Sequence, residues 1–175
     1  MPIARHALPV LLALIALSCG APGVPRSDHP RLDQAFESAR GWRVEADHVG
    51  EWIPLPAPGR ITVVDFWSTY CEPCLKAMPE LERLWRRSDP AKVQVVGVAV
   101  DEEPGPVQKM LPSLGVTFPM LIDSAAALSG AYRIGGEVPA TFVIDRAGRL
   151  RFFTGGDEAS PARVSEAVDA LLAEP

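Results

Sequence analysis

The chain has 175 residues, enough for one domain of about 100–150 residues plus extensions. It is 47% hydrophobic, so a sizeable core is within reach, and 22 acidic against 17 basic side chains leave a formal net charge of −5. An acidic chain with no block of Lys and Arg is not built to neutralise phosphates, which argues against a nucleic-acid partner.

The first residues have the pattern of a targeting segment. Arg5 supplies a positive start, Ala7 to Leu17 form an apolar stretch too short to span a bilayer comfortably, and "ALSCGAPG" places small residues around Cys19. This resembles a bacterial lipoprotein signal in which Cys19 becomes the lipidated first residue. Ala16 stands three residues before Cys19, where such signals prefer Leu, so an ordinary cleaved signal stays open. Residues 1–19 are therefore set aside as a signal. Residues 20–40, rich in Pro, Ser and charge, read as a tether with a short helix near Leu32–Ala39. The remaining 41–175 form the domain.

Within the domain "WRVEADHVGEWIPL" suggests a β-hairpin, with Val44 and Ala46 on one side and Val49 and Trp52 on the other of a turn near Gly50. Ile61–Trp67 is an apolar strand. Leu75, Met78, Leu81, Leu84 and Trp85 follow at helical spacing, then "VQVVGVAVD" as a buried strand. "PVQKMLPSLG" is helical and ends near Gly115; "FPMLID" is extended; "AAALSGAYR" is a short helix. "ATFVID" and "LRFFTG" are strands joined by a tight turn at Arg146–Gly148. A last helix starts with Ser160 as N-cap and Pro161 in its first turn, with Val164, Val168, Leu171 and Leu172 on one face. The acidic residues 101–103 read as a solvated loop. This order implies an α/β domain: a mixed sheet with helices on both faces.

"CEPC" carries the chemistry. Cys19, Cys71 and Cys74 are the only cysteines, so a lipidated Cys19 leaves Cys71 and Cys74 as the thiols of the mature domain. A bridge across two residues closes almost no loop, so stability is a poor reason for it. Cys71 falls where a strand has ended and a helix begins, and the partial positive charge and free N–H groups of a helix start favour a thiolate there. Cys71 is the expected nucleophile. Cys74, one turn on, is the expected resolving thiol. Pro73 fits the first turn because its missing N–H has no intrahelical partner there. Glu72 places a negative charge beside the thiolate and should push the pair toward the reducing side.

A structural zinc site needs four ligands. The chain has no second Cys pair, and its histidines, His6, His29 and His48, are all upstream. No metal and no cofactor is expected. Copper delivery would call for wider Cys spacing and a late His.

"VVDFWSTYCEPC" resembles a thioredoxin-fold active site, closest to the TlpA/ResA type of membrane-tethered thiol–disulfide oxidoreductases. Trp67 lies four residues before Cys71, and Pro79 five residues after Cys74. Downstream, "GGEVPATFVID" resembles the family's second signature, in which a cis-proline, here Pro139, faces the cysteines. Residues 100–123 resemble the family's central insertion. The resemblance covers roughly residues 40–173. It implies a thioredoxin-like fold with an N-terminal hairpin, and protein thiols and disulfides as substrates. It also implies a membrane thiol relay as reductant and a lipid anchor on the extracytoplasmic, periplasmic side. An apocytochrome c is the client it suggests. Trp67, Tyr70, Pro73, Val138 and Pro139 would form the surface around the thiols, with Glu137 and Val138 offering backbone to a substrate strand.

Three positions depart from the family pattern. Tyr70 stands where many relatives have Trp, and Ala77 where many have Glu. Asp65 stands in a strand where extracytoplasmic relatives often have a neutral residue. A central strand is buried on both faces, so Asp65 should be desolvated with a raised pKa. It is the candidate proton acceptor and donor for Cys74; the bland alternative is a solvent-facing residue at a strand edge. Two competing functions remain: a thioredoxin-fold binding or chaperone module with incidental thiols, and a disulfide-donating oxidant. A peroxiredoxin-like peroxidase would want Thr and Pro where Ser68 and Val64 stand.

Overall fold

The computed structural model describes residue 23, residues 39–44 and residues 49–175, with side chains from Ile53 onward apart from Glu158. The expected signal, Cys19 and residues 24–38 of the expected tether lie outside the described residues. Among the described residues no helix is long and apolar enough to cross a membrane.

One seven-stranded sheet organises the domain, in the order β2-β1-β5-β4-β3-β6-β7. The hairpin β1 (Ala39–Val44) and β2 (Val49–Leu55) lies at one edge, with β1 antiparallel to β5 (Met120–Ile122). The core strands β3 (Ile61–Trp67) and β4 (Val93–Ala99) run parallel, as do β4 and β5. β6 (Ala140–Ile144) runs antiparallel to β3, and β7 (Leu150–Gly155) antiparallel to β6. The hairpin differs in detail from the sequence expectation. Gly50 is inside β2 rather than at the turn, and the expected tether ends earlier, since Ala39 already pairs with Leu55. The cross-strand pairing of 39–42 with 52–55 sets that register, and composition alone does not show it.

Helices cover both faces. α1 (Glu72–Arg87), α2 (Pro104–Leu114) and α4 (Pro161–Ala173) share one apolar cluster with Ile61, Val63, Trp67, Val93, Val95, Val143 and Phe152. The short α3 (Ala127–Tyr132) lies on the other face, with Val64, Phe66, Val96, Val98, Phe142 and Ile144. Alternation along β3 decides this: Ile61, Val63 and Trp67 point one way, Val64 and Phe66 the other. Val164, Val168 and Leu171 of α4 are fully buried, each contributing about 1.5–3 kcal/mol. Leu172 is only partly buried.

Local chemistry sets the boundaries. Asp145 Oδ1 accepts Ala147 and Arg149 N–H, and Gly148, at φ 80°, closes the β6–β7 turn. Gly97 sits at a close approach: a Cβ there would lie 2.3 Å from Met120 Sδ, so the Met120 side chain would have to shift. Ser160 stands at the N-cap of α4 but makes no side-chain capping bond; its own N–H goes to Thr154 Oγ1 at 3.1 Å. The acidic 101–103 segment is also not uniformly solvated. Glu102 and Glu103 are exposed, whereas Asp101 is buried, because Thr69 donates to it from both its backbone N–H and its hydroxyl.

Candidate active site

β3 ends at Trp67, and the chain turns through Ser68, Thr69 and Tyr70 into α1. Cys71 is the N-cap of that helix. An N-cap side chain accepts from the N–H of the second or third helical residue. The second is Pro73, which has none, so the bond comes from Cys74: Cys74 N–H donates to Cys71 Sγ at 3.3 Å. The two sulfurs are joined in a disulfide, with Cα atoms 5.3 Å apart. Cys71 keeps 7% of its surface exposed and Cys74 none, so an outside thiol reaches Cys71 first. On reduction, the Cys74 N–H and the helix start would stabilise a thiolate on Cys71.

The approach to Cys71 is held rigidly. Cys71 N–H donates to Ser68 O at 3.2 Å. Thr69 N–H donates to Asp101 Oδ2 at 3.1 Å, and the Thr69 hydroxyl to Asp101 Oδ1. Sequence reading missed Asp101. Its one available signal was position, as the first polar residue after the buried strand β4.

The expected surface residues separate. Tyr70 is 75% exposed and stands beside the disulfide, and Pro73 is exposed. Trp67 is fully buried, so it is not part of that surface; alternation along β3 turns it into the cluster that holds Cys71 and Cys74. Val138 is half-buried and packs against the same cluster. The Val138–Pro139 peptide bond is cis, and Pro139 is buried. Glu137 N–H is committed to Ile134 O at 3.1 Å, which removes that amide from any substrate strand. Pro139 O accepts Gly156 N–H at 3.0 Å. Gly156 also lines a cleft with Pro73, Lys76, Ala77, Asp157 and Pro161, joining the first turn of α1 to the loop after β7.

Two carboxylates behave differently here. Glu72 is exposed and paired with Lys76 Nζ at 2.7 Å. The hydrogen bond and charge of Lys76 hold its carboxyl below the usual range. Lys76 therefore offsets part of the negative field that Glu72 alone would place on the disulfide. Asp65 is 1% exposed in the middle of β3, so it is not a strand-edge residue. Burial pushes its carboxyl up to about 7, opposed by the Thr141 hydroxyl, which donates to Oδ1 at 2.7 Å. Oδ2 is buried without a hydrogen-bond partner among the described residues. By alternation Asp65 shares the face of Val63 and Trp67, toward α1 and Cys74. Among the described residues no group of three or more His, Cys, Asp or Glu side chains is placed to hold a metal.

Comparison with known proteins agrees with this geometry. The AhpC/TSA family model matches residues 44–153. The thiol–disulfide oxidoreductase ResA of Halalkalibacterium halodurans is 33% identical over 127 residues, 71% of this chain and 71% of that protein. The crystal structure of StoA from Bacillus subtilis superposes with a TM-score of 0.64 at 23% identity, covering 79% of this chain and 98% of that one. The exposed lipoprotein thioredoxin of Streptococcus pneumoniae does so with a TM-score of 0.62 at 20% identity, covering 76% and 100%. The buried, accessible-at-one-sulfur disulfide at a helix start and the shared family together make this chain a member of the AhpC/TSA family, a thiol–disulfide oxidoreductase on a thioredoxin-like fold.

Proposed function

We propose that the protein reduces disulfides of protein substrates outside the cytoplasm, held to a membrane through lipidated Cys19. The observation that carries the chemistry is the asymmetry of the pair: Cys71 is reachable and takes an amide N–H, while Cys74 is sealed. In the reduced protein the Cys71 thiolate attacks one sulfur of a substrate disulfide. A Cys71–substrate disulfide forms and the other substrate sulfur leaves as a thiolate. Asp65 then takes the Cys74 proton, through water. The Cys74 thiolate attacks Cys71 Sγ, and the second substrate thiolate leaves. The substrate ends reduced and the protein oxidised, and a membrane thiol relay would return the two electrons.

Tyr70, Pro73 and Val138 would touch the substrate chain, with Val138 rather than Glu137 pairing along it. The extracytoplasmic anchor draws support from the apolar segment before Cys19 and from the likeness to an exposed lipoprotein thioredoxin. An apocytochrome is one candidate client.

Trapping tests the reading. The Cys74→Ser variant, mixed with membrane proteins carrying disulfides, should accumulate a mixed disulfide through Cys71, and the Cys71→Ser variant should not. Full function in the double Cys→Ser variant would instead make the domain a binding or chaperone module. Equilibration with thiol–disulfide buffers fixes the direction. A potential near −270 mV supports a reductant, and one near −120 mV a disulfide donor, taking roughly the values of known members of the fold.

A further inference from the structure

Asp65 sits in a row of cross-strand neighbours: Gly97 on β4, Asp65 on β3, Thr141 on β6 and Thr154 on β7. Gly97 has no side chain, and Met120 Sδ fills the space above it. On the other side stands the Thr141 hydroxyl, 5% exposed, donating to Asp65 Oδ1 at 2.7 Å. Among the described residues no charged side chain acts on the carboxyl. β4 offers Gly97 with Met120 of β5 above it and β6 offers Thr141, while α4 contributes Val164 and Val168 to the apolar cluster on this side of the sheet. α1 contributes Met78 and Cys74 to the same cluster, and the thiols of Cys71 and Cys74 are titratable groups within it. Among the described residues Thr141 is thus the one polar side chain with a hydrogen bond to this buried acid.

A carboxyl oxygen that accepts a hydrogen bond is the less basic of the pair, so the proton is favoured on the other oxygen. Here that oxygen is Oδ2, which has no partner among the described residues. We propose that Thr141 is a positioning residue: its hydroxyl occupies Asp65 Oδ1 and so leaves Oδ2 as the oxygen that exchanges a proton with Cys74. This rests on the reading of Asp65 as the proton acceptor for Cys74. The step is a proton transfer alone. The Cys74 S–H bond breaks, an Oδ2–H bond forms, and the charge moves from carboxylate to sulfur.

Two variants of the full chain separate the possibilities. Thr141→Val keeps the shape and removes the donor; Thr141→Ser keeps the donor. The titration of the Asp65 carboxyl is read by carbon NMR, and the rate of mixed-disulfide resolution is read against pH. With Thr141→Val both midpoints should rise by about one pH unit, the scale of a lost hydrogen bond to a charged group; with Thr141→Ser both should stay near the parent. Thr141→Ala removes the same donor in a smaller side chain and serves if the valine variant does not fold. An Asp65 titration unmoved in both donor-less variants overturns the role of Thr141. A titration that moves while the rate profile stays fixed leaves Thr141 tuning Asp65 but removes Asp65 from the resolving step, and with it the proton transfer proposed here.

Discussion

On the α3 side of the sheet, Phe66, Tyr132, Phe142 and Phe153 meet in tilted and edge-on pairs with ring centroids 4.9–5.9 Å apart. On the α1 side the same strands carry a buried polar row, Asp65, Thr141 and Thr154. Both faces are buried, yet one is filled by rings that gain from every contact and the other keeps a carboxyl that resists desolvation. The difference teaches where this fold holds its stability and where it holds its reactivity. One residue of alternation along β3, Phe66 against Asp65, is the whole distance between them.

The sharpest test removes the reactive sulfur. Cys71→Ser should abolish disulfide reduction, a loss of at least about 1,000-fold for a covalent nucleophile with no substitute, while leaving the thermal transition of the reduced protein within a few degrees. Loss of fold together with activity would erase the contrast between the faces.

On the aromatic face, Phe142→Ala should cost about 3–5 kcal/mol in denaturant unfolding and leave the pH profile of thiol exchange unchanged. A shifted profile would mean that the two faces are coupled.

Asp65→Asn works in the opposite direction. The folded value near 7 lies above the ordinary carboxyl value of 3.8, so between them the native state holds a proton that the unfolded chain has lost. Stability therefore falls as pH rises from about 4 to about 7, and the full penalty remains above that. The asparagine variant should be the more stable protein at pH 8 by on the order of 4 kcal/mol and equal to the parent at pH 3, while resolving mixed disulfides more slowly. An unchanged pH dependence of stability would place Asp65 in contact with water.

The smallest effect belongs to a buried acid with a purely structural set of partners. Glu82 of α1 is pulled up by burial but held below its ordinary value overall by Thr117 N–H at 2.7 Å, the Thr117 hydroxyl at 2.8 Å and Arg86. Because its folded pKa is depressed, its contribution is present above the unfolded value and lost as pH falls through the folded one. Glu82→Gln should cost about 1–2 kcal/mol at pH 7, a difference that fades in acid, with no change in thiol reactivity. A changed reduction potential would show that the link from α1 to the insertion tunes the disulfide.

Much of this was legible from the chain. Continuous apolar runs such as 93–99 and the helical spacing after Cys71 gave β4 and α1, because burial on two faces and on one leave different periods. The position of Cys71 at a helix start followed from the strand before it and from Pro73. What escaped were partnerships across the sequence. Asp101 looks like its solvated neighbours Glu102 and Glu103 until Thr69, 32 residues earlier, is seen to donate to it. Trp67 looked like part of the active-site rim until strand alternation turned it inward. The Glu72–Lys76 pair, by contrast, is local, since a spacing of four residues on a helix brings the two side chains together.

The sequence by itself determined the elements, the nucleophile and its place at a helix start, since these depend on neighbours within a turn or a strand. Only the tertiary structure decided which face Asp65 occupies, that Thr141, 76 residues on, holds one of its oxygens, and that Met120 fills the space over Gly97. The physical reason is the same in each case. A hydrogen bond or a shift in pKa depends on distance and on exclusion of water, and both are set by strand register and helix packing.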